Sequence, residues 1–492
     1  MKLIIINHTY HYETENLVRV FFPNEKIETV RENDGSRRFI ETKLEKTSRG
    51  AVISVKVSLD TVLHEEKEFP LSEKLFDDTE DSFFERKLAG LLFSLLQRAT
   101  GYTPPWGILT GVRPAKLMNN LCAKWGEERT KEYFSNELFV SEEKIRLASF
   151  VSKKEQPIIK KSKKDSFSLY VSIPFCPTRC SYCSFVSHSN ESAKKLMEPY
   201  VKLLCRELEE TGKIARELSL KLESVYFGGG TPTALSAPLL KKLTASVADN
   251  FNITENCEYT IEAGRPDSVD DEKLEVIKNC GAGRISINPQ TFSDSVLEAI
   301  GRRHTSAMTE KAMHMAREHG FKNINMDLIA GLPTDTFESF CRTLLKTLSF
   351  EPENITVHTL ALKRSSNLVT EEKEKGSAAE AQKMLSFAFE TLFKAGYEPY
   401  YMYRQSKCLG NLENVGWAKK GFECRYNVYM MEECHTVLAC GAGAVTKLRS
   451  PVSPDIERIF NFKYPYEYID RFDELLERKK RILEFYRISD YK

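Results

Sequence analysis

Between residues 166 and 357, short apolar runs alternate with longer stretches in which apolar positions recur every three or four residues. The first pattern predicts buried strands and the second amphipathic helices. The strands are expected at Leu169–Ile173, Ser224–Phe227, Tyr259–Ala263, Arg284–Ile287, Ile324–Ile329 and Ile355–His358, with helices such as Leu196–Leu218 and Phe337–Leu348 between them. Six successive βα units imply a parallel sheet with helices outside, curved into a barrel or partial barrel.

The flanks read differently. Residues 1 to about 60 alternate apolar and polar groups, as in Val18-Arg19-Val20-Phe21-Phe22 and Val52–Val57, and predict short strands with a turn at Glu32–Ser36. From Asp81 to about Thr100 the period becomes helical, with Phe83, Leu88, Leu91, Leu92 and Leu95 on one face. A Gly/Pro loop at Gly101–Gly107 and further helices to about Val151 complete a small α/β domain without a chemical motif. Lys160–Asp165 reads as a basic, solvated linker. Beyond Val369 a helix is expected at Ser377–Ala395, stopped by Gly396, and then an aromatic strand at Tyr397–Arg404. A loop at Gly410–Trp417, strands at Tyr426–Met431 and Thr436–Cys440, and a charged helix from about Pro465 to Phe485 follow. The expected organisation is an N-terminal α/β domain (1–160), a (βα)6 core (165–365) and a C-terminal α+β extension (366–492).

Composition narrows the class. The 492 residues suffice for two or three domains, and 41% hydrophobic with 29% charged residues is an ordinary soluble profile. A net charge of +1 gives no global field favouring nucleic acid or an anionic membrane. No stretch approaches the roughly 18 apolar residues that span a bilayer. The first apolar run is too short for a signal peptide, so a cytoplasmic location is expected. Most of the 12 cysteines stand alone and are expected to be reduced.

Three do not stand alone. Cys176, Cys180 and Cys183 form a C-x3-C-x2-C loop directly after the first core strand. Three thiolates can hold one metal centre, and on a four-iron cluster they leave one iron open for a ligand. Zinc with a distant fourth ligand such as His188 is the other reading, although no second cysteine knuckle accompanies the loop. In a barrel, chemistry gathers at the C-terminal ends of the strands. Those ends carry Gly228-Gly229-Gly230-Thr231-Pro232-Thr233, then Glu262, then Asn288-Pro289-Gln290, then Asp327, and finally His358 to Arg364. Taken singly, the glycines read equally as a tight turn, Glu262 as a core carboxylate paired with Arg265, Gln290 as a satisfied amide, Asp327 as a cap and Arg302 as a helix-end cation. Taken together, they describe a polar cofactor pocket.

These motifs resemble the radical S-adenosylmethionine superfamily. With Gly301-Arg302-Arg303-His304, Gly331-Leu332-Pro333, Val357–Arg364, Tyr400–Gln405, Asn411–Gly416, Gly441–Lys447 and Thr110–Pro114, they are similar to the oxygen-independent coproporphyrinogen III oxidase group and its coproporphyrinogen dehydrogenase HemZ-type branch. The resemblance covers roughly residues 150 to 490. It implies a partial (βα)6 radical-SAM barrel. It implies a [4Fe-4S] cluster on Cys176, Cys180 and Cys183, with S-adenosyl-L-methionine on the open iron. Gly229, Gly230 and Thr231 would meet the methionyl part; Glu262, Gln290 and Asp327 the polar groups and ribose; Arg302 the carboxylate. Tyr170, Tyr182 and the backbone at Ala361 would help seat the cofactor, and Tyr170 is also the candidate for a catalytic side chain.

The implied activity is conversion of coproporphyrinogen III to protoporphyrinogen IX in heme biosynthesis. A 5′-deoxyadenosyl radical removes a propionate hydrogen, and loss of carbon dioxide and an electron leaves a vinyl group. A tetrapyrrole is the implied substrate, and a low-potential donor such as flavodoxin or ferredoxin the implied partner. Lys363, Arg364, Arg404 and the Tyr400/Tyr401/Tyr403 cluster are candidates for substrate contact, or else ordinary strand and surface residues. Ser172 and Phe185 depart from the pattern of the oxidases, which carry histidine and cysteine there, and Phe185 is shared with heme-chaperone relatives. A heme chaperone without decarboxylase activity, and radical methylation or ring opening of a tetrapyrrole, are therefore the alternatives.

Overall fold

The computed structural model of the chain describes residues 1–490 except 33, 76, 112, 184–187, 362–376, 406–407 and 454, with backbone alone at 188–193 and 488–490. Two compact units emerge. One comprises 1–149 with 403–413, the other 150–402 with 414–492.

The first unit is built on a five-stranded mixed sheet. Its strands lie in the order Glu28–Val30, Lys2–Ile6, Phe39–Lys46, Gly50–Ser58, Val62–Pro70. The first three are parallel and the last two form antiparallel hairpins with their neighbours. The helix Glu80–Thr100 lays Phe83, Phe84, Leu88, Leu92 and Leu95 on the sheet residues Ile40, Ile53 and Val55. Thr79 caps its start by accepting from the Ser82 N–H, and Gly101 ends it in the left-handed conformation. The expected strand at Val18–Phe22 belongs instead to the helix His11–Phe21. Its buried residues Thr14, Leu17 and Val18 follow the helical i, i+3, i+4 spacing, which overrides the β preference of the valines.

The second unit is organised by six parallel strands: β1 Ser166–Ile173, β2 Lys221–Gly229, β3 Glu258–Glu262, β4 Arg284–Ser286, β5 Ile324–Ala330 and β6 Asn354–Thr359. They pair in chain order. Helices connect them, including Asn190–Glu217, Ala237–Asn250, Ser306–Glu318 and Phe337–Ser349. The fold is therefore the expected α/β partial barrel. The later strands extend the same sheet at both edges. Thr436–Cys440 runs parallel to β1, and Glu413–Ala418 runs antiparallel to β6.

Two expectations fail in this part of the chain. Gly410–Trp417 is not a loop, because Glu413–Ala418 is a strand. Gly416 signals close approach rather than a turn: a Cβ there would sit 1.8 Å from the Tyr401 ring. Tyr426–Met431 lies in the helix Arg425–Glu432, whose buried Tyr426, Tyr429 and Glu432 recur every three residues. Its aromatic and β-branched composition had pointed to a strand.

The closing segment is two helices, Pro465–Asp470 and Phe472–Asp490. A buried polar cluster ties it to the helix Asn190–Glu217. Glu207 pairs with Lys479 Nζ at 2.9 Å and accepts from Tyr468 Oη, Asn461 Nδ2 and the Gly441 N–H at 2.6, 2.8 and 2.8 Å. A buried charge so fully bonded specifies the docking of these elements more than it adds stability. No described helix is long and apolar enough to cross a membrane.

Candidate functional site

The site is built on the C-terminal ends of β1 to β6. After β1, Phe175-Cys176 forms a short strand and the chain turns through Cys180 and Cys183. The turn is fixed by the main chain: the Cys183 N–H donates to Cys180 O at 3.1 Å, and the Ser181 N–H donates to Ile300 O at 2.9 Å. Cys180 is buried, while Cys176 and Cys183 are half-buried. Among the described residues no three of His, Cys, Asp and Glu are gathered tightly enough to hold a metal ion.

The glycine loop after β2 lies against the cysteine loop. The Gly230 and Thr231 N–H groups donate to Ile173 O and Phe175 O at 2.7 and 2.8 Å. A Cβ on Gly230 would meet Phe175 O at 2.5 Å and Cys176 Sγ at 3.0 Å, so only glycine fits. Thr231 Oγ1 lies 3.5 Å from Cys176 Sγ.

Glu262 ends β3. Its carboxylate accepts from Tyr226 Oη at 2.5 Å, and the Tyr226 ring stacks on Tyr426 at 4.4 Å and Tyr170 at 6.4 Å. Burial pushes the Glu262 carboxyl up to about 7, the Tyr226 hydrogen bond opposes this, and the Asp327 charge adds to it. Arg265 is not its partner: the guanidinium forks onto Asp267 at 3.0 and 2.9 Å.

Gln290 follows β4 with φ at 67°. Its N–H donates to Asp327 O at 2.9 Å and its carbonyl accepts from Ile329 at 3.0 Å, which locks it beside β5. Its side-chain Oε1 is buried without a hydrogen-bond partner among the described residues. Asp327, within β5, accepts from Asn325 Nδ2 at 2.7 Å and faces His358 Nε2 at 3.7 Å from the end of β6. Burial would raise the Asp327 carboxyl, but His358, with Asn325 and Thr356, holds it below its usual value. Burial would lower His358, and Asp327 more than reverses that.

Arg302 is 8% exposed. It donates to Asn288 O at 2.7 Å and reaches Cys180 and Tyr182, while its Nε has no partner among the described residues. Ala361 lies just beyond β6.

Two residues acquire roles that the sequence did not assign. Asn288 holds Arg302 through its carbonyl and the Asp327 N–H through Oδ1, at 3.2 Å. His358 supplies the counter-charge to Asp327. Both lie at strand ends, which was the available signal. Ser172 donates to Ala442 O at 2.8 Å, and a Cβ on Gly441 would lie 3.1 Å from the Ser172 Cβ. Gly441 therefore lets the turn pack directly on Ser172.

The remaining candidates lie elsewhere or outside view. Tyr400 and Tyr401 are buried together, with rings 4.9 Å apart. Tyr403 and Arg404 belong to the first unit. The Arg404 guanidinium is 2% exposed and donates to the carbonyls of Leu109, Gly111 and Asn411. Phe185, Lys363 and Arg364 lie outside the described residues.

Comparison with known proteins now bears on this geometry. Residues 170–346 match the Radical SAM superfamily. Over 418 residues the chain is 37% identical to the oxygen-independent coproporphyrinogen-III oxidase-like protein HemZ of Bacillus subtilis (strain 168), covering 83% of either chain. The chain belongs to this family of radical SAM proteins. It is also 29% identical over 314 residues to the heme chaperone HemW of Haemophilus influenzae, covering 63% of this chain and 78% of that one. The solved structure of the Escherichia coli coproporphyrinogen III oxidase HemN has a TM-score of 0.52 at 22% identity, over 65% of this chain and 71% of that one, and it shares the fold.

The cofactors of the superfamily are a [4Fe-4S] cluster and S-adenosyl-L-methionine. The residues here fit them. The loop offers three thiols and no competing carboxylate. The glycine cradle admits close backbone approach, and the buried Gln290 Oε1 and Arg302 Nε await polar partners.

Proposed function

We propose that the protein is a radical S-adenosylmethionine oxidoreductase that decarboxylates coproporphyrinogen III to protoporphyrinogen IX without oxygen. Each of two propionates loses carbon dioxide, a hydrogen atom and an electron, and becomes a vinyl group. The observation that carries this reading is the buried Gln290 Oε1, which has no hydrogen-bond partner among the described residues, at a strand end bonded to Asp327. A site with orphaned polar groups at strand ends is one prepared for a polar ligand. Family membership gives that ligand its identity.

Cys176, Cys180 and Cys183 would hold the cluster. Gly229, Gly230 and Thr231 would receive the methionyl group through backbone atoms, and Arg302 its carboxylate. Glu262, neutral or charged near pH 7, Gln290 and Asp327 would take the amino and ribose groups. Tyr182, Tyr170 and the Ala361 backbone would wall the cofactor, with Tyr170 closest to the chemistry. Once bound, the cluster and S-adenosyl-L-methionine supply one-electron reduction and carbon-radical chemistry. The chain's task is to orient the reactants and exclude water. The aromatic stack of Tyr170, Tyr226 and Tyr426 suits that exclusion. A low-potential flavodoxin or ferredoxin in the cytoplasm would supply the electron, and Lys363 and Arg364 would meet the propionates.

A second reading, heme binding without decarboxylation, is supported by the similarity to HemW. Anaerobic incubation of reconstituted protein with coproporphyrinogen III, reductant and S-adenosylmethionine separates the two. Protoporphyrinogen is expected. Tight heme binding with no vinyl product would replace the first reading with the second, and a methylated or ring-opened tetrapyrrole would replace both.

A further inference from the structure

We propose that Arg265 is a positioning residue that fixes the Cys180 limb of the cysteine loop and sets the reduction potential of the cluster. The inference rests on the reading that Cys180 is a cluster ligand. It is carried by a complete set of bonds. A guanidinium has five N–H donors in a fixed fork. Those of Arg265 meet Asp267 Oδ1 at 3.0 Å, Asp267 Oδ2 at 2.9 Å, Thr178 Oγ1 at 2.9 Å, Thr178 O at 3.3 Å and Cys180 Sγ at 3.6 Å. All five are spent, two on a carboxylate from its own turn and three on the cysteine loop. The side chain is 3% exposed, so Asp267 neutralises a charge that water scarcely reaches.

The mounting is rigid. Arg265 enters a short 3-10 turn, Pro266–Ser268, in which the Ser268 N–H and Oγ both donate to Arg265 O, at 2.9 and 2.7 Å. Ser268 Oγ in turn lies 2.7 Å from Thr233 Oγ1, at the end of the glycine loop. Arg265 and Ser268, in the turn after β3, thus link the loops that follow β1, β2 and β3. An ordinary surface turn would expose the arginine.

The effect on the cluster follows from charge. A donor N–H aimed at a ligand sulfur withdraws electron density, which favours the reduced state and raises the potential. Lysine cannot reproduce this. Its compact ammonium stays with Asp267 and lacks the planar fork that reaches three loop atoms at once.

The test uses the reconstituted holoprotein and its Arg265→Lys and Arg265→Met variants. The readouts are iron and sulfide content, the electron paramagnetic resonance spectrum of the reduced cluster, its midpoint potential, and the melting temperature. Arg265→Lys is expected to melt like the parent and to load a cluster. At a fixed poise its reduced-to-oxidised ratio should fall by about tenfold, equivalent to about 59 mV for one electron. Arg265→Met should shift further or lose iron. If Arg265→Lys carries a full cluster at the parental potential, the proposal is overturned, whatever Arg265→Met does. A Cys180→Ala variant that keeps the full cluster, or a parent that builds none, would overturn the ligand assignment and this inference with it. An unmoved potential in a protein whose Cys180→Ala variant has lost its cluster would overturn the role of Arg265 alone.

Discussion

Arg265 and Arg404 are both 2% exposed, and they solve the same burial problem in opposite ways. Arg265 sits on a carboxylate and turns its other donors toward the cysteine loop. Among the described residues Arg404, in the first unit, donates to backbone carbonyls alone, lies over the Trp106 ring at 5.3 Å, and leaves Nη2 without a partner. Burial pushes its guanidinium down to about 10, although the charge of Glu413 works against that. A buried cation is tolerable when paired or richly bonded. Where the balance is complete, the spare donors can serve a neighbouring loop. Where it is not, they hold the fold. By this contrast Arg404 is a clamp of the first unit rather than a substrate contact.

The largest effect should come from the acid beside that clamp. Glu413 accepts from Lys144 Nζ and Trp106 Nε1, each at 2.7 Å, with Lys144 and Glu413 almost wholly buried. Glu413→Leu leaves Lys144 with Glu143 but removes its buried counter-charge and the acceptor of Trp106 Nε1, and should cost the first unit about 3–5 kcal/mol. Adding Lys144→Met should recover most of the loss. Arg404→Leu leaves three carbonyls less satisfied and should cost about 2–3 kcal/mol. Calorimetry of the reconstituted protein reads both. A cluster signal that changes with Arg404→Leu while stability does not would undo the contrast with Arg265.

Much of the second unit was legible. The six core strands fall within a few residues of their expected ranges because fully buried parallel strands are continuous apolar runs, and their ends carry the unusual residues. The errors have local physical causes. His11–Phe21 and Arg425–Glu432 are short helices whose valines and aromatics imitate strands. Gly416 signalled a loop because sequence cannot show an incoming Tyr401 ring. Within the site, one reading of the sequence pairs Glu262 with Arg265, three residues away. The structure pairs Glu262 with Tyr226 and Arg265 with Asp267, because position in the β3 end directs the two side chains apart. The pairing of Asp327 with His358 spans two strands and has no local signature.

The contrast between balanced and unbalanced charge recurs among the acids of the site. Glu262 has a hydroxyl partner and, among the described residues, no cation in contact, and burial pushes it up to about 7. A carboxyl whose folded pKa exceeds its unfolded value favours the fold below the unfolded value and loses that contribution as pH rises through the folded one. The cofactor-free chain should therefore lose about 2 kcal/mol from this group between pH 5 and 8, allowing for a half-buried position. Glu262→Gln should flatten that part of the slope in urea titrations across pH. A residual slope remains from His358, whose raised pKa has the same sign. An unchanged slope in Glu262→Gln would mean that the acid is ionised throughout, and that Tyr226 balances it as well as Asp267 balances Arg265.

Asp327 is the balanced counterpart, and His358→Phe tests it with the smallest expected effect. The pair is intact between the depressed pKa of Asp327, below its ordinary 3.8, and the raised pKa of His358, above its ordinary 6.5. With the imidazolium removed, burial acts on Asp327 with only Asn325 and Thr356 against it, so its pKa rises and it takes a proton earlier as pH falls. If Asp327 binds S-adenosylmethionine as an anion, affinity should fall about fivefold at pH 6, or about 1 kcal/mol, and by less at pH 8. Calorimetric titration of the cofactor into the anaerobic holoprotein at the two pH values measures this. A loss equal at both would assign His358 a direct contact with the cofactor instead. No loss at either would show that Asn325 and Thr356 suffice, and that hydrogen bonds alone can balance a buried charge at this strand end.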